Sequence, residues 1–315
     1  MTSNVQNVLG GIGNTPLIEL RKVVPPGSGR VVAKLESSNP TGSMKDRMAK
    51  AAIEGAETRG HLEPGGTVVE YTAGTTGISL ALVCAAKGYD LEIVYSDAFS
   101  DEKRRTMQAF GARVTDVPSD NKGITEALVK KMIRAAAEIS QRPRHWCCDQ
   151  LNNNDAIRGY LPLGEEIWRQ TGGRLDAFVQ SVSTAHSIHG VTESLWTHDD
   201  RIRIIAVEPA ESAVLSGKPS GAHKIEGIGI GFIPPLWRPE LVNEIHTVAT
   251  EEAKEMTRRL AREEGIFAGT SSGANVVSAI RVAQQIGPGA TIATLIVDSG
   301  LRYLSTDVYG GVPGA

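Results

Sequence analysis

The most constraining feature of this sequence is an alternation of strand-like and helix-like patterns in residues 91–148. Short apolar runs bounded by turn residues are typical of strands, whereas longer segments with one apolar face are typical of helices. Such alternation favours parallel strands joined by right-handed helical crossovers. We therefore predict an α/β fold with strands at 91–95, 113–117 and 146–148 and helices at 101–110 and 124–140.

Lys45 follows a turn-rich run, residues 37–44, and precedes an Ala-rich amphipathic stretch at 48–59. Ser43 is the predicted N-cap, so the lysine amine starts a helix beside polar loops. A lysine in a partly desolvated cleft can lose its proton and hold an aldehyde as a Schiff base. The alternative is a solvated lysine on a surface helix, and only the rest of the chain distinguishes the two.

A second segment has the order strand, polar loop, helix. Residues 67–71 predict a short strand, Thr72-Ala73-Gly74-Thr75-Thr76-Gly77 a tight loop, and residues 78–87 an apolar helix that Gly88 ends. The loop therefore presents several hydrogen-bond donors at the start of a helix.

Further motifs follow in a fixed order: Ala206-Val207-Glu208-Pro209, then residues 226–234, 264–274 and 298–306. Each motif alone has many uses, but their ordered set is specific. From Gly13 to Thr306 the chain resembles a divergent member of the cysteine synthase (O-acetylserine sulfhydrylase) and cystathionine β-synthase family. The resemblance implies a two-domain, three-layer αβα fold of the tryptophan synthase β-subunit type (fold type II). It also implies that Lys45 forms the internal aldimine with pyridoxal 5'-phosphate.

The resemblance implies a cofactor phosphate cup at the start of a helix, where N–H groups receive an anion. A strand is predicted at 176–182 and a helix from 188 onward. Relatives carry Gly-Thr-Gly-Gly-Thr between them, whereas this chain keeps only the hydroxyls at the second and fifth positions. Side chains here could crowd the phosphate or add donors. For His186 and His189, a place on the outer wall of the cup is an open alternative. The implied cup consists of Ser183, Thr184, Ala185, His186 and Ser187.

The resemblance places Ser271 at the cofactor's ring nitrogen. A neutral hydroxyl does not strongly stabilise a pyridinium, which favours prompt loss of a β-leaving group. The alternative is that Ser271 only caps the helix predicted at 274–284, because serine is a preferred cap.

The resemblance also implies a subsite for the substrate carboxylate and a contact from Thr75 to the cofactor's ring hydroxyl. The familiar loop reads Thr-Ser-Gly-Asn-Thr, and this chain has Ala73 and Thr75 at its second and fourth positions. These departures indicate a changed substrate or partner more than a changed fold. The implied substrate-binding residues are Thr72, Ala73, Gly74, Thr76, Gln150 and Gly227.

Composition agrees with a small-molecule enzyme. The chain has 33 Lys plus Arg against 36 Asp plus Glu, so no basic surplus indicates nucleic acid or an anionic membrane. No apolar run approaches a membrane span. The His and Cys spacings match no metal motif. The beginning, residues 1–9, lacks the blocks of a signal peptide. With three cysteines, two of them adjacent, we expect reduced thiols and a cytoplasmic protein, and from the family a homodimer.

At 315 residues the chain is long enough for two domains. We predict a smaller mobile α/β domain at 38–150, inserted into a larger cofactor-binding domain made of 1–37 and 151–315. Lys45 then falls at the cleft between the domains.

Three functions follow. The first is pyridoxal-phosphate-dependent β-replacement on an activated L-serine (O-acetyl or O-phospho) through an aminoacrylate, with a small nucleophile such as sulfide. The second is β-elimination by a lyase, or β-replacement with a non-sulfur nucleophile in a specialised pathway. The third is a non-catalytic relative, which only the missing phosphate glycines support.

Overall fold

The computed structural model describes residues 7–119 and 125–310, which form two compact units. The first unit comprises residues 7–14 and 39–159 apart from 120–124, and the second comprises 15–38 and 160–310. Ten strands and nine α-helices lie within these described residues. In chain order they are β1 (Leu17–Leu20), β2 (Arg30–Leu35), α1 (Lys45–Thr58), β3 (Thr67–Tyr71), α2 (Thr75–Lys87), β4 (Asp90–Tyr95), α3 (Asp101–Ala109), β5 (Arg113–Asp116), α4 (Glu126–Ser140), β6 (His145–Cys147), α5 (Asn154–Arg158), α6 (Leu161–Gln170), β7 (Ala177–Ser181), α7 (His186–Trp196), β8 (Arg203–Pro209), β9 (Glu244–Val248), α8 (Thr250–Arg259), α9 (Thr270–Ile286) and β10 (Thr291–Ile296).

The sheet of the first unit is parallel throughout and has the strand order β5-β4-β3-β6. The chain runs from β3 through α2 to β4 and through α3 to β5. It then returns through α4 and adds β6 on the other side of β3. The direction of strand addition therefore reverses between β3 and β6. Ligands of such sheets bind outside the carboxyl ends of the strands at the reversal.

Helices cover both faces of this sheet. Val68 of β3 and Ile93 of β4 share one apolar cluster with Ile53 of α1 and Leu80 of α2. A right-handed crossover that runs in the opposite direction must lie on the opposite face. For this reason α4, which contacts β3, β4 and β6, covers the other side, and the unit has three layers.

The observed units differ from the predicted domain boundaries at both ends of the smaller domain. Residues 7–14 group with the first unit because Gly13 N donates to Asn39 Oδ1 at 2.9 Å and Leu9 packs in its apolar cluster. Helix α5 also groups with this unit, since Asp155 pairs with Arg59 of α1. These contacts join residues distant in sequence, so local patterns gave no sign of them.

The sheet of the second unit has the strand order β1-β2-β10-β7-β8-β9. Strand β1 is an antiparallel edge strand on β2, and the other neighbours are parallel. Strands β7, β8 and β9 are added in one direction, and β10 then inserts between β2 and β7. This order reverses between β7 and β10, so a ligand site is expected at the carboxyl ends of these two strands.

Two helices mark the two faces of the second sheet. Val179 of β7 shares an apolar cluster with Ile280 of α9, whereas the side chain of the next residue, Gln180, donates to Ser187 of α7. Consecutive side chains of a strand point to opposite faces, so α9 and α7 lie on different sides. Each unit is therefore a three-layer α/β structure, and the predicted fold class is confirmed.

The predicted strands agree with the observed ones to within one residue at each end. The helices near the candidate site begin earlier than predicted. The helix predicted from 188 begins at His186, and the helix predicted at 274–284 begins at Thr270. Ser187 and Ser271 therefore lie inside first helical turns. Ile124, the predicted first residue of α4, lies outside the described residues.

Two observations bear on the class of protein. No helix within the described ranges is long and apolar enough to cross a membrane. Cys84, Cys147 and Cys148 are free thiols. Burial raises the pKa of Cys147 to about 12, so this thiol stays protonated at neutral pH and is a poor nucleophile. Burial also raises the pKa of Cys148 well above its ordinary value, so neither of the adjacent thiols is suited to act as a nucleophile.

A buried ion pair lies in the second unit. The side chain of Lys34 on β2 is fully buried, and its Nζ lies 2.7 Å from Glu166 Oε2 of α6. The same ammonium donates to Thr15 O at 2.6 Å and to Gln170 Oε1 at 2.8 Å. A buried charge needs such partners because water cannot solvate it.

We expect Glu166→Gln to lower the free energy of unfolding by about 3 kcal/mol, since it leaves a buried ammonium without its carboxylate. Asp101→Asn is the control: it breaks the exposed ion pair of Asp101 with Arg105 and should cost less than about 1 kcal/mol. Urea denaturation of both variants measures the difference. Equal losses would show that the Lys34 pair is not a stabilising element.

Candidate active site

Lys45 is the first residue of α1 and is partly exposed. Met44 occupies the N-cap position and makes no side-chain cap bond. The predicted cap, Ser43, lies one residue earlier, and its Oγ accepts the N–H of Lys45 at 3.2 Å. The hydroxyl therefore still satisfies one donor of the first turn, although Ser43 is not the cap.

A buried carboxylate fixes the turn that precedes Lys45. Asp46 accepts the N–H of Thr41 at 2.8 Å and the hydroxyl of Ser79 at 2.6 Å. Ser79 belongs to α2, so Asp46 ties the start of α1 to the first turns of α2. The sequence analysis did not identify Asp46. The only sign of Asp46 in the sequence was an acidic residue in the first turn of a helix. Its favourable interaction with the helix macrodipole already explains such a residue, so the position did not indicate a further role.

Residues 72–74 lead from β3 into α2, whose first turn already includes Thr75 and Thr76, so the helix begins earlier than the predicted 78–87. Gly74 is the N-cap and has φ of 125°, a region that side-chain-bearing residues rarely adopt. A Cβ at this position would lie 2.5 Å from Cδ of Lys103. Thr72 Oγ1 accepts the N–H of Gly74 at 2.9 Å. Glycine is thus required at this point for both conformation and space.

The structure brings Gln150 to this loop. Thr76 Oγ1 donates to Gln150 Oε1 at 2.9 Å, and Gln150 Nε2 donates to the carbonyl of Tyr71 at 2.9 Å. The preceding residue, Asp149, has φ of 45°, a left-handed conformation that aspartate tolerates better than most residues. Within the first unit, therefore, the start of the Lys45 helix, the loop and Gln150 gather where the strand order reverses.

Glu70 lies beneath this group and is fully buried. Its Oε1 accepts the N–H of Tyr71 at 3.0 Å, and its Oε2 accepts the N–H of Gln150 at 3.0 Å. Burial raises the pKa of Glu70 from its ordinary 4.5 to about 8, although these N–H groups oppose the shift. The titratable side chains around the carboxyl are Tyr71, Cys147, Cys148 and Asp149. The negative charge of Asp149 also raises the pKa of Glu70, whereas a hydrogen bond from the Cys148 thiol lowers it.

In the second unit, the predicted phosphate cup forms the start of α7. Ala185 is the N-cap and has φ of 69°. Thr184 Oγ1 lies 2.9 Å from His186 Nδ1, and Gln180 Nε2 donates to Ser187 Oγ. Gln180 Oε1 is buried and has no hydrogen-bond partner among the described residues. The turn therefore keeps a glycine-like backbone without glycine.

This turn fits an anionic phosphate. The first N–H groups of a helix lack partners within the helix, and two hydroxyls lie beside them. His186 is buried against Thr184, whereas His189 bonds to Glu193 at 2.9 Å. The imidazole of His186 thus meets the hydroxyl of a predicted phosphate ligand, whereas that of His189 bonds to Glu193, so the outer-wall alternative fits His189 better.

Two further predicted residues lie near this turn. Gly227 has φ of 88° in a loop whose Gly229 N–H donates to Val182 O at 3.1 Å. The N–H of Glu226 donates to Thr270 Oγ1 at 3.2 Å, which brings the loop to the start of α9. Ser271 is buried in the first turn of α9, whose N-cap is Gly269. The alternative that Ser271 is the helix cap is therefore wrong.

Asn275, one turn after Ser271, was also not identified from the sequence. It is fully buried, accepts the N–H of Ser181 at 2.7 Å and donates to Leu295 O at 3.0 Å. Its amide thereby bridges β7 and β10 beyond their last paired residues. An asparagine on the apolar face of a helix was the available signal, since a buried amide needs partners.

We expect Ala185→Gly to raise the free energy of unfolding by about 1 kcal/mol, because only the alanine is strained in a left-handed conformation. The matched control is Ala249→Gly, since Ala249 is also a helix N-cap but has φ of −72°. Chemical denaturation of both variants gives the difference. A gain at Ala249 as large as that at Ala185 would refute the strain.

We expect the free energy of unfolding of the parent to decrease as the pH rises, and we expect Glu70→Gln to abolish this decrease. The folded protein keeps the Glu70 proton up to about pH 8, whereas the unfolded chain releases it near 4.5. The contribution is thus complete below pH 4.5 and is lost as the pH rises to about 8. In this pH window, the slope of the free energy of unfolding against pH should differ between the parent and Glu70→Gln by up to about 1.4 kcal/mol per pH unit. Urea denaturation at pH 5 to 8 tests this, and parallel profiles would contradict it.

Comparison with known proteins identifies the family of this chain. The family model described as pyridoxal-phosphate dependent enzyme matches residues 8–298. A cysteine synthase of Staphylococcus aureus is 42% identical over 308 residues, 97% of each chain. The structure of a cysteine synthase from Entamoeba histolytica has a TM-score of 0.91 at 36% identity and covers 98% of this chain and 92% of that one. An O-ureido-L-serine synthase structure has a TM-score of 0.93 at 33% identity, with coverage of 99% and 97%. This chain belongs to the family of pyridoxal-phosphate-dependent enzymes that includes the cysteine synthases.

Proposed function

We propose that this enzyme catalyses β-replacement on an activated L-serine, with O-acetyl-L-serine or O-phospho-L-serine as the substrate and sulfide as the nucleophile. The observation that carries the proposal is the grouping of Thr76, Gln150 and the start of the Lys45 helix at the strand reversal of the first unit. This grouping provides hydroxyl and amide donors for a carboxylate beside a lysine that can act as a base. The similarity to cysteine synthases supports the same reaction.

Each group of candidate residues would have its own part in the chemistry. When bound, pyridoxal 5'-phosphate supplies an electron sink for the carbanion at the substrate's α-carbon. The N–H groups at the start of α7 and the hydroxyls of Thr184 and Ser187 would hold the phosphate. Ser271 would face the ring nitrogen as a neutral partner, and Thr75 would face the ring hydroxyl.

Lys45 would hold the cofactor aldehyde through its amine and take the α-proton of the substrate as a general base. The substrate carboxylate would be bound by N–H groups of residues 72–76, by their threonine hydroxyls and by Gln150. Gly227 would border the substrate from its own loop. Loss of the β-leaving group and addition of the nucleophile then replace one β-substituent with another.

A second candidate is β-replacement with a non-sulfur nucleophile, or β-elimination without a nucleophile. Two observations favour it: the loop carries Ala73 and Thr75 in place of the usual serine and asparagine, and one structural relative is an O-ureido-L-serine synthase. Thr75 offers a single, shorter hydroxyl donor where an asparagine amide is usual. A different acceptor geometry at this position would suit a different nucleophile.

We also propose that the enzyme is a cytoplasmic homodimer. Leu301 and Leu304 are 65% and 56% exposed, and Phe267, which bonds to Gly300 through its carbonyl, is 37% exposed. Clustered exposed apolar side chains are typical of a surface that a partner covers. Three free cysteines fit a reducing compartment.

We expect Lys45→Ala to remove the visible absorbance of the bound cofactor and to lower β-replacement at least about 100-fold, because the base and the covalent attachment are both lost. Lys50→Ala is the control, since Lys50 lies on the same helix and its Nζ reaches Leu9 O at 3.4 Å. It should keep both properties. Absorbance spectra and turnover of O-acetyl-L-serine with sulfide provide the measurements.

Three outcomes would change the proposal. Cofactor attached to another lysine would refute the role of Lys45. Formation of pyruvate and ammonia, with or without sulfide, would favour the lyase. A parent protein that binds no pyridoxal phosphate would favour a non-catalytic relative.

A further inference from the structure

We propose that Glu70 is a positioning residue for the amino-acid substrate, which acts by holding Gln150 and, through it, Thr76. This inference rests on the proposed function, because it assigns Gln150 to the substrate carboxylate. Glu70 would touch neither substrate nor cofactor.

The position of Glu70 is unusual for a carboxyl group. It is the fourth residue of a strand whose five residues are all buried, between Val69 and Tyr71. Burying a carboxyl group in such a strand is costly unless it is hydrogen-bonded. Its two oxygens meet this requirement with backbone N–H groups of Tyr71 and Gln150. One of these bonds is local, and the other crosses to the segment after β6.

That second bond continues the sheet beyond its last strand pair. The pairing of β3 with β6 ends at Val69 and Cys147, after which Cys148 N donates to Val69 O at 2.9 Å. The next two residues of the β6 segment then turn away, with Asp149 in a left-handed conformation. The Glu70 side chain replaces the missing strand partner for the N–H of Gln150.

The bonds of Gln150 fix the direction of its amide. A carbonyl oxygen can only accept, so the bond to Tyr71 O assigns Nε2 to that side and leaves Oε1 to accept from Thr76. One N–H of Nε2 is used by Tyr71, and the second N–H is the donor that we assign to the substrate carboxylate. Backbone and side chain of Gln150 are thus held at three points, of which Glu70 supplies the backbone one.

The chemistry of this anchor requires two acceptors on one side chain. Glutamate offers an oxygen to each N–H group, whereas glutamine of the same shape offers one oxygen and an NH2 group that faces a donor. Glu70→Gln therefore keeps the volume of the side chain and weakens one of the two bonds. This makes it a sharper test than truncation, which also leaves a cavity.

The experiment is a double-mutant cycle with Glu70→Gln and Gln150→Ala, in which KM and kcat are measured with O-acetyl-L-serine and sulfide. Glu70→Gln should raise KM for the amino acid about tenfold, the change expected when a buried N–H group loses its acceptor, and kcat should stay within about twofold. In the Gln150→Ala background the same change should have no further effect, because residues that act through one another are not additive. An equal rise in KM in both backgrounds, or an unchanged KM for Glu70→Gln, would overturn the inference.

Glu92→Gln is the matched control. Glu92 lies on β4 opposite Val69, is buried, and bonds to Arg113 and Arg142 rather than to Gln150. Loss of this carboxylate should leave KM unchanged. A rise in KM equal to that of Glu70→Gln would mean that any buried carboxylate of this sheet has the same effect, and the inference would fail.

Amide hydrogen exchange of the full chain separates this inference from the proposed function. In Glu70→Gln, the N–H of Gln150 should exchange faster than in Glu92→Gln, with little change in the core of β3. A parent that turns over no activated serine would refute the proposed function, and the exchange rate would then decide alone whether Glu70 holds Gln150. Equal exchange in the two variants would overturn the inference whatever the activity.

Discussion

The structure depends on the handedness of crossovers between parallel strands. A right-handed connection returns each strand to the same end of its sheet, so the loops after the strands collect along one edge. Where the order of strands reverses, neighbouring loops run to opposite faces and leave a crevice. Both units have such a reversal, between β3 and β6 in one and between β7 and β10 in the other. The residues that we assign to substrate and cofactor follow those strands.

Neighbouring strands separate at each reversal, and buried polar side chains then complete their hydrogen bonding. Glu70 accepts the N–H of Gln150 where β3 and β6 part, and Asn275 joins Ser181 to Leu295 where β7 and β10 part. A buried backbone N–H without a partner is costly, so these side chains stabilise the open edge that the site requires. The same groups also fix the loops, which connects the stability of the sheet to the positions of the functional residues.

The start of α7 shows how a turn without glycine can keep a left-handed backbone. Ala185 accepts a left-handed conformation, which costs an L-residue about 1 to 2 kcal/mol. Such strain is usually retained where function requires it. Here the side chains of Gln180 and His186 bond to Ser187 and Thr184, the two hydroxyls next to the helix N–H groups. These hydrogen bonds hold both hydroxyls at the start of the helix.

The sequence by itself determined the α/β class, the positions of five of the ten strands in the described residues, the family and the candidate residues from Lys45 to Ser271, because periodicity, turn residues and motif order are local properties of a chain. Only the tertiary structure decided how residues 7–14 and α5 are grouped, that Ser271 lies inside a helix, and that Glu70 and Asn275 brace the reversals. Each of these depends on contacts between residues far apart in sequence, such as Gly13 with Asn39 and Glu70 with Gln150. From the sequence alone, a glutamate within a strand pattern is expected to face solvent. Only the packed structure shows that Glu70 is buried. The physical reason is that burial and hydrogen-bond partners are properties of the packed molecule, which no local pattern contains.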